Sequence, residues 1–296
     1  MKQPIGGQAV IEGVMMQNGD RAAVAVRRSS DGKIRVRSLA PRKRFKRLAQ
    51  IPFVRGTFRM IDMLSLGMRA LNVSTQLAYP EEEQLSKSGT FFTFAVSIVV
   101  AVGAFIVLPL VLANTVPNLR ESGSVLFNLV EGMIRLLFFF VYLILVSRMK
   151  DIRRVFQYHG AEHKVVYAYE NDKELTVENA RPYKTLHPRC GTAFLMTVFV
   201  VAILIFSLAG NPALWLKILS RLLLLPVVAG VSYEVLRFTG RQYQRWWVRV
   251  LAQPGLWLQK LTTQPPTDDM LEVAIVAMKS VLGDDLAVPL TADSDA

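Results

Sequence analysis

The residues best suited to chemistry lie close together in one segment of the chain. The sequence of 296 residues contains three histidines and one cysteine, and all four fall within one stretch of 32 residues. They are His159, His163, His187 and Cys190. Their spacing, H-x3-H followed by H-x2-C, presents two pairs of ligands of the kind that bind zinc. The segment is therefore predicted to be a metal site.

The first histidine pair falls on a predicted helix. An apolar stripe at helical spacing begins at Ile152 and Val155 and continues through His159 and His163. Because residues i and i+4 lie on one face of a helix, both imidazoles are expected to point the same way. Glu162 directly precedes the second histidine, so the segment matches H-x-x-E-H, the inverted zincin pattern.

The pattern leaves open whether the metal site is catalytic or structural. In a catalytic site, the two histidines and a third protein ligand hold Zn²⁺, and water takes the fourth position with its pKa lowered to about 7. Glu162 would then act as the general base. The third ligand is left open among His187, Cys190 and Glu170. If His187 and Cys190 both bind, four ligands close the site and its role is structural.

Other interpretations of these residues stay open as well. The histidines could pack between helices or form a hydrogen-bonded polar cluster without metal. Cys190 could be a nucleophile paired with His187. The glycine-rich residues 6–16 include Glu12 and lack the Gly-Lys-Ser/Thr end of a phosphate-binding loop. Their backbone could pass close to the metal site with Glu12 as a nearby acid or ligand, or could simply enter a hairpin.

The elements that must position this segment are those of an integral membrane protein. Apolar residues make up 52% of the chain, which excludes a disordered polyelectrolyte, and one cysteine excludes a disulfide scaffold. About 20 apolar residues in a helix cross the hydrocarbon core. Four spans are therefore predicted, at about residues 91–113, 126–147, 191–209 and 214–233.

The basic residues predict how these spans are oriented. Of the 35 Lys and Arg, 16 precede residue 90 and nine lie between residues 148 and 189, whereas residues 90–114 contain none. By the positive-inside rule, both termini and the central loop face the cytoplasm. The net charge of +12 is therefore attributed to topology, and no nucleic acid partner is expected. The N-terminus lacks the apolar core of a cleavable signal peptide.

Charged residues also occur inside two predicted spans. Glu131 and Arg135 have the i, i+4 spacing that lets them pair on one helix face. Lys217 and Arg221, near the start of the last span, are expected to extend their charged ends toward the lipid headgroups. Because charges are costly in hydrocarbon, Glu131, Arg135 and Glu234 could instead line a transport path or hold a lipid headgroup.

The soluble N-terminal part is predicted to combine a small sheet with a basic helix. Hairpin turns separate strands at residues 10–17, 22–28 and 33–39, and the last strand suits a sheet edge. After the sheet comes a basic amphipathic helix, which suits an anionic membrane surface or packing on the spans. Its apolar stripe consists of Phe58, Ile61, Leu64, Met68 and Leu71.

The predicted fold is thus an α-helical membrane protein with about four spans, an antiparallel β-meander and cytoplasmic helical segments. Toward the C-terminus, one helix is expected to continue to about Leu251, with Trp246 and Trp247 near the membrane interface. Thr267 is expected to cap a further helix. The predicted segments are a cytoplasmic β-meander (1–40), a basic amphipathic helical region (41–89), a first transmembrane hairpin (90–147), a cytoplasmic metal-site loop (148–190), a second transmembrane hairpin (191–235), and a cytoplasmic helical region with an acidic tail (236–296).

Three segments resemble the YqhQ-type family of bacterial membrane proteins. They are residues 6–16, 158–164 and 187–192, and the resemblance extends over nearly the whole chain. That family is described as predicted metal-dependent enzymes without an established reaction. The resemblance therefore implies a metal site and a bacterial inner-membrane location, but it supplies no substrate.

Two functions from different classes are compatible with the sequence. The first is a zinc-dependent hydrolase at the cytoplasmic membrane face, acting on a peptide, amide or lipid-derived bond. The second is a transporter, channel or assembly subunit whose metal only clamps the loop between the second and third spans. The expected partners are the lipid bilayer, including its anionic lipids, and an unidentified substrate. Assembly into a homo-oligomer stays open.

Overall fold

A computed structural model describes residues 5–41, 47–80, 87–208, 210 and 213–283. Most of these residues are helical, and the sheet is confined to the N-terminal part. The strands are β1 Gly6–Val10, β2 Gly13–Asn18, β3 Arg21–Arg27 and β4 Ile34–Leu39. The helices are α1 Arg55–Ala78, α2 Lys87–Val102, α3 Leu108–Thr115, α4 Ser124–Ser147, α5 Lys150–Glu170, α6 Val177–Ala180, α7 Thr192–Leu208, α8 Leu214–Arg241, α9 Trp246–Thr262 and α10 Asp268–Leu282. A 3₁₀ turn covers Leu48–Gln50, and a π-helical turn, Gly103–Val107, joins α2 to α3.

The sheet is antiparallel with strand order β1-β2-β3-β4, so β4 lies at an edge as predicted. The prediction of a single strand over residues 10–17 is wrong. The chain reverses between Val10 and Gly13, where Glu12 adopts a φ of 52°. Tight hairpins usually show Asn or Gly at positive φ, so the sequence gives little indication that a glutamate fills this position.

Helices cover both faces of the sheet. On one face, α5 and α10 enclose a core that includes Val14, Met16 and Ala25. On the other face, α1 packs on Val10, Val24 and other small apolar residues. This burial follows from strand alternation, which directs successive side chains to opposite faces. The stripe predicted for the last helix is confirmed, since its four residues are buried in α10: Leu271, Ala274, Met278 and Val281.

Three helical segments among the described residues are long and apolar enough to cross a membrane. They are Phe91–Thr115, Ser124–Ser147 and Leu214–Arg241. Helix α7 is also apolar but has 17 residues, which is short for a span. Helix α7 packs against α4, α8 and α9, so it lies at the centre of the apolar helices.

A buried group of charges joins two of these helices. We name it the interhelical charge cluster; its members are Asn128, Glu131 and Arg135 of α4 and Arg221 of α8. The predicted pair of Glu131 and Arg135 is confirmed. Arg221 also contacts Glu131, with 3.0 Å between Nη2 and Oε2. Sequence reasoning missed this partner, because nothing in the local spacing connects residues of two separate helices.

The expectation that Lys217 and Arg221 reach the headgroups is wrong. Both side chains are fully buried. The Lys217 ammonium lies 3.6 Å from the centre of the Phe127 ring, and the Arg221 guanidinium lies 4.3 Å from that of Phe206. Aromatic faces attract cations, and this attraction increases when both groups are removed from water.

Part of the predicted apolar stripe of helix α1 lies on the outside, which is compatible with the membrane-surface alternative. Ile61 and Leu64 are exposed, and small residues make the packed contacts instead. A Cβ atom added at Gly56 would lie 2.6 Å from Cβ of Tyr233, so glycine permits the close approach of α1 to α8. Glu234 is paired, because its two carboxylate oxygens bind the Arg55 guanidinium at 2.6 and 2.5 Å.

The C-terminal part also departs from its prediction. The helix expected to continue to Leu251 is interrupted between Arg241 and Trp246, so it forms two helices. Trp246 is exposed, whereas Trp247 is partly buried against Phe238. Thr267 precedes α10 but makes no side-chain capping bond. The predicted acidic tail lies outside the described residues, as do the basic residues 42–46.

Candidate metal centre

The two histidines of α5 are held by backbone carbonyls from other parts of the chain. His159 Nδ1 lies 2.8 Å from the Thr262 carbonyl oxygen at the end of α9. His163 Nδ1 contacts the Thr185 carbonyl oxygen in the same way. A carbonyl oxygen can only accept, so each Nδ1 donates to it, and in the neutral ring Nε2 is then the nitrogen that can bind a metal. This orientation by a second partner is the usual arrangement of metal-binding histidines.

The free nitrogen atoms converge with the single cysteine. The ligand atoms of His159, His163 and Cys190 all lie within 4.8 Å of one another, and the distance from His159 Nε2 to Cys190 Sγ is 3.2 Å. Nε2 of His163 is buried and has no hydrogen-bond partner among the described residues. An orphaned buried acceptor is costly unless something binds it. Two imidazoles and a thiolate fit Zn²⁺, which accepts nitrogen and sulfur ligands.

Cys190 is positioned by the start of α7. Its sulfur lies 3.1 Å from the Thr192 hydroxyl and 3.4 Å from the Thr192 backbone nitrogen. Both groups can donate hydrogen bonds to sulfur, so they fix the position of the cysteine side chain next to the histidines. The cysteine therefore reaches the histidines from the apolar helices, while α5 supplies the histidines from the layer on the sheet.

Glu162 lies beside this convergence. Its side chain is almost fully buried, and its Oε2 is 4.0 Å from His159 Nε2. The backbone of β1 passes directly against it: a Cβ atom added at Gly7 would lie 2.7 Å from Cγ of Glu162. Only glycine leaves room for the carboxylate at this point. Of the glycine-rich residues 6–16, Gly7 thus provides the close approach to the site.

His187 and Glu170 lie next to the site but are directed at each other. His187 Nε2 is 3.4 Å from Glu170 Oε2, and His187 Nδ1 accepts from the Arg189 backbone N–H at 3.3 Å. Both ring nitrogens are therefore engaged. Burial raises the pKa of Glu170, but the hydrogen bond from His187 and the charge and hydrogen bond of Arg189 outweigh it, so the pKa is lowered. Neither residue belongs to the three-ligand group.

Glu12 is also directed elsewhere. Its carboxylate forms an ion pair with Arg154, on the first turns of α5, and lies 3.5 Å from the Tyr158 hydroxyl. Burial raises the pKa of Tyr158, and the nearby charge of Glu12 raises it further. Glu12 thus holds the β1–β2 turn to α5 and is not one of the three grouped ligand residues.

Several supporting residues were not singled out from the sequence. Lys164 donates to the carbonyl oxygens of Arg181 and Tyr183, and burial lowers its pKa. The Tyr167 hydroxyl donates to the Leu186 carbonyl at 2.9 Å, and burial raises the pKa of Tyr167 to about 12. Both side chains hold the segment that supplies the Thr185 carbonyl. Their backbone partners are distant in sequence, so no spacing rule identifies them.

The chain matches known proteins whose function is not established. A family model described as "Protein of unknown function (DUF1385)" matches residues 51–284. The chain is 36% identical to the "Uncharacterized protein YqhQ" of Bacillus subtilis (strain 168) over 293 residues, which cover 94% of this chain and 92% of that protein. No solved structure matches the chain. Together these matches show that the chain belongs to the DUF1385 family, of YqhQ type, whose function is unestablished.

Proposed function

We propose that this protein is a zinc-dependent hydrolase. The observation that supports the proposal is the convergence of His159, His163 and Cys190, with both Nδ1 atoms oriented by carbonyls and Nε2 of His163 left without a partner. Three protein ligands leave one coordination position for water or substrate, as in catalytic zinc sites. His187, which would have closed the site, is engaged with Glu170.

Glu162 is the proposed general base. Zn²⁺ bound at the three ligands would supply a Lewis acid that polarises a carbonyl group and makes water more acidic. Glu162 takes the proton from the attacking water and transfers it to the leaving group, so one water molecule is consumed and no other reactant is needed. The distance of 4.0 Å from Oε2 to His159 Nε2 brings the carboxylate within reach of a group bound beside the histidines.

The decisive experiment measures metal and activity on the same purified samples. Wild type should contain about one zinc per chain, and its cobalt form should show a thiolate absorption band from Cys190. A panel of peptides, amides and lipid esters should reveal a hydrolysed class. Glu162→Gln should retain the metal and lose hydrolysis, whereas hydrolysis that survives this change with metal bound would refute the assigned role.

The proposed location is the cytoplasmic face of a bacterial inner membrane. We infer that α7 is a fourth span, because it is apolar and packs among the three longer segments. Four spans put both termini on the side of the strongly basic segments, which the positive-inside rule assigns to the cytoplasm. The site then lies where α5 meets the start of α7. Reporter fusions after residues 118 and 172 should report opposite sides.

Two exposed apolar surfaces support contact with anionic lipids. On α1, the exposed residues are Ile61, Met63 and Leu64. On α9, they are Trp246, Val250, Leu251 and Trp257. Arginines flank both surfaces, among them Arg59 and Arg249. Apolar side chains beside basic ones bind the boundary between headgroups and acyl chains. Replacing Trp246 and Trp257 with serine should weaken retention on vesicles containing anionic lipids if these residues contact them.

A transporter, channel or assembly subunit is the second candidate. The interhelical charge cluster favours it, because Glu131, Arg135 and Arg221 are buried between helices that are long and apolar enough to span a membrane. In this case the metal would only clamp the central loop. If neutralising Glu131 and Arg135 together changes stability and nothing else, the hypothesis of a transport path fails.

A further inference from the structure

Strand β1 is an edge of the sheet, and Glu162 of the candidate metal centre lies against it. Helix α5 lies over β1 and β2, whereas α10 lies over β2 and β3. On α5, the residues that contact the sheet core include Ala161 and Val165. Glu162 lies at the border of that face, against Gly7, and the two histidines follow around the helix away from α10. The free edge of β1 therefore runs alongside the proposed site.

The register identifies which backbone groups of β1 are free. Val10 and Gly13 close the hairpin around a two-residue turn, so they form a hydrogen-bonded pair. Because such pairs alternate in an antiparallel ladder, Gly6 and Gln8 also face β2, whereas the N–H and C=O groups of Gly7 and Ala9 face away. Within the described part of the chain, none of these outward groups has a hydrogen-bond partner.

The shape of this edge admits another backbone. Gly6 is exposed, and Gly7 and Ala9 are partly exposed, so the start of β1 is accessible from outside. The reactive groups are only slightly exposed: His159 at 9%, Cys190 at 8% and Glu162 at 6%. An extended chain lying on this edge would pass beside Glu162, which is packed against Gly7. Free edges of sheets bind extended peptides by strand addition.

We propose that the substrate is a polypeptide segment that binds as an added strand along β1. The outward N–H groups of Gly7 and Ala9 donate to its carbonyls, and their own carbonyls accept from its N–H groups. This inference rests on the proposed hydrolase function. The reaction is then peptide hydrolysis: water oxygen bonds to the carbonyl carbon, the C–N bond breaks, and Glu162 passes the proton from water to the leaving amine.

The test separates docking from catalysis. The probe is a fluorescently labelled random peptide library, and its binding to metal-loaded Glu162→Gln protein is measured by anisotropy. Adding Ala9→Pro removes one outward N–H while leaving the bonds from Gln8 and Val10 to β2, and Ala9→Ser is the matched control that keeps the N–H. We expect binding about fivefold to tenfold weaker with proline and unchanged with serine.

A second measurement covers the case in which the proline variant does not fold. The same library with methylated backbone nitrogens cannot donate to the strand, so it should bind the unaltered edge about tenfold more weakly. Equal binding of methylated and unmethylated peptides would overturn the inference. Hydrolysis of lipid esters without any peptide binding would also overturn this inference, whereas the proposed hydrolase function would stand. Peptide binding at the edge without hydrolysis in wild type would support docking and refute the proposed function.

Discussion

Two buried polar groups in the described part of this chain differ in the kind of atom that is left without a hydrogen-bond partner. In the interhelical charge cluster, Glu131 faces Arg135 and Arg221, and Asn128 also contacts Arg221. In the metal centre, two imidazoles are anchored by carbonyls and direct their free nitrogens at one point, where His163 Nε2 finds no partner among the described residues. In the first group, Glu131 is paired with both arginines, and the atoms without a partner among the described residues are N–H donors of Arg135 and Arg221. In the second group, the unpartnered atom is an imidazole nitrogen placed beside two other possible metal ligands.

This difference teaches how to separate structural from functional polar burial. Glu131 neutralises one of the two arginines that contact it, and a buried ion pair alone is weak support for a function. A buried acceptor that is held in place without a hydrogen-bond donor destabilises the fold, and a bound ligand would remove this unfavourable free energy. If the distinction holds, substitutions in the metal centre should change ligand binding, and substitutions in the charge cluster should change stability.

The largest effect is expected on metal content. Loss of a residue that only supports a metal ligand typically lowers metal affinity by about 10-fold to 100-fold. His163→Ala and Cys190→Ser should each lower metal affinity by more than this, because each removes a proposed ligand. His187→Ala should stay within that range, since His187 binds Glu170 instead. Metal per chain after dialysis against a chelator series measures this. Equal losses in all three variants would make His187 a ligand and the site closed.

The second largest effect is expected on the rate of hydrolysis, with the metal content unchanged. Glu162→Gln should lower hydrolysis by about 10²-fold to 10⁴-fold, the usual contribution of a general base. Glu170→Gln is the control carboxylate, because it lies near the site but is directed at His187 and Arg189. Turnover is measured on the hydrolysed substrate at saturating zinc. If both substitutions act equally, Glu162 has no special part in the reaction.

In the charge cluster, the expected effect is on stability. Arg221→Met should lower the free energy of unfolding by about 2 kcal/mol, because it removes the bonds of Arg221 to charged Glu131 and to Asn128, although Arg135 still neutralises Glu131. Lys217→Met is the contrast. Nζ of Lys217 has no hydrogen-bond acceptor among the described residues, so methionine should be neutral or stabilising. Thermal unfolding in detergent, with metal content as the internal control, distinguishes them. Loss of metal in Arg221→Met would break the distinction.

The smallest effect tests the contact between the sheet and the site. Gly7→Ala should force the Glu162 carboxylate to shift and lower turnover by about tenfold, because small displacements of a catalytic group are costly. Gly6→Ala meets nothing within 4 Å and should leave turnover unchanged. The metal content of both variants should equal that of wild type. Identical behaviour of the two variants would mean that β1 does not position Glu162.

Sequence patterns predicted the parts of the fold that depend on periodicity. The β4 edge, the three long apolar helices and the pair of Glu131 and Arg135 follow from alternation, helical spacing and composition. The grouping of the histidines on one helix face also followed from their i, i+4 spacing. Each of these features depends on residues close together in sequence, which is why they could be predicted.

Features that depend on distant contacts could not be predicted. The grouping of Cys190, and not His187, with the two histidines follows from where the His187 segment lies, and Gln259 holds that segment by bonds of 2.8 and 2.9 Å to the His187 backbone. The pairing of Arg221 with Glu131 joins helices that are about 90 residues apart. The turn at Glu12 depends on a glutamate in a conformation that is unfavourable for its residue type. Such outcomes are decided by tertiary packing.

The position of Cys190 two residues before α7 has a mechanical consequence. The histidines belong to the layer that rests on the sheet, whereas the cysteine begins a helix of the apolar group. An ion bound by all three residues would connect the layer on the sheet to the group of apolar helices. Removing the ion would let α5 and the start of α7 separate. Amide hydrogen exchange should then become faster at these two segments, whereas the centres of α4 and α8 should stay protected.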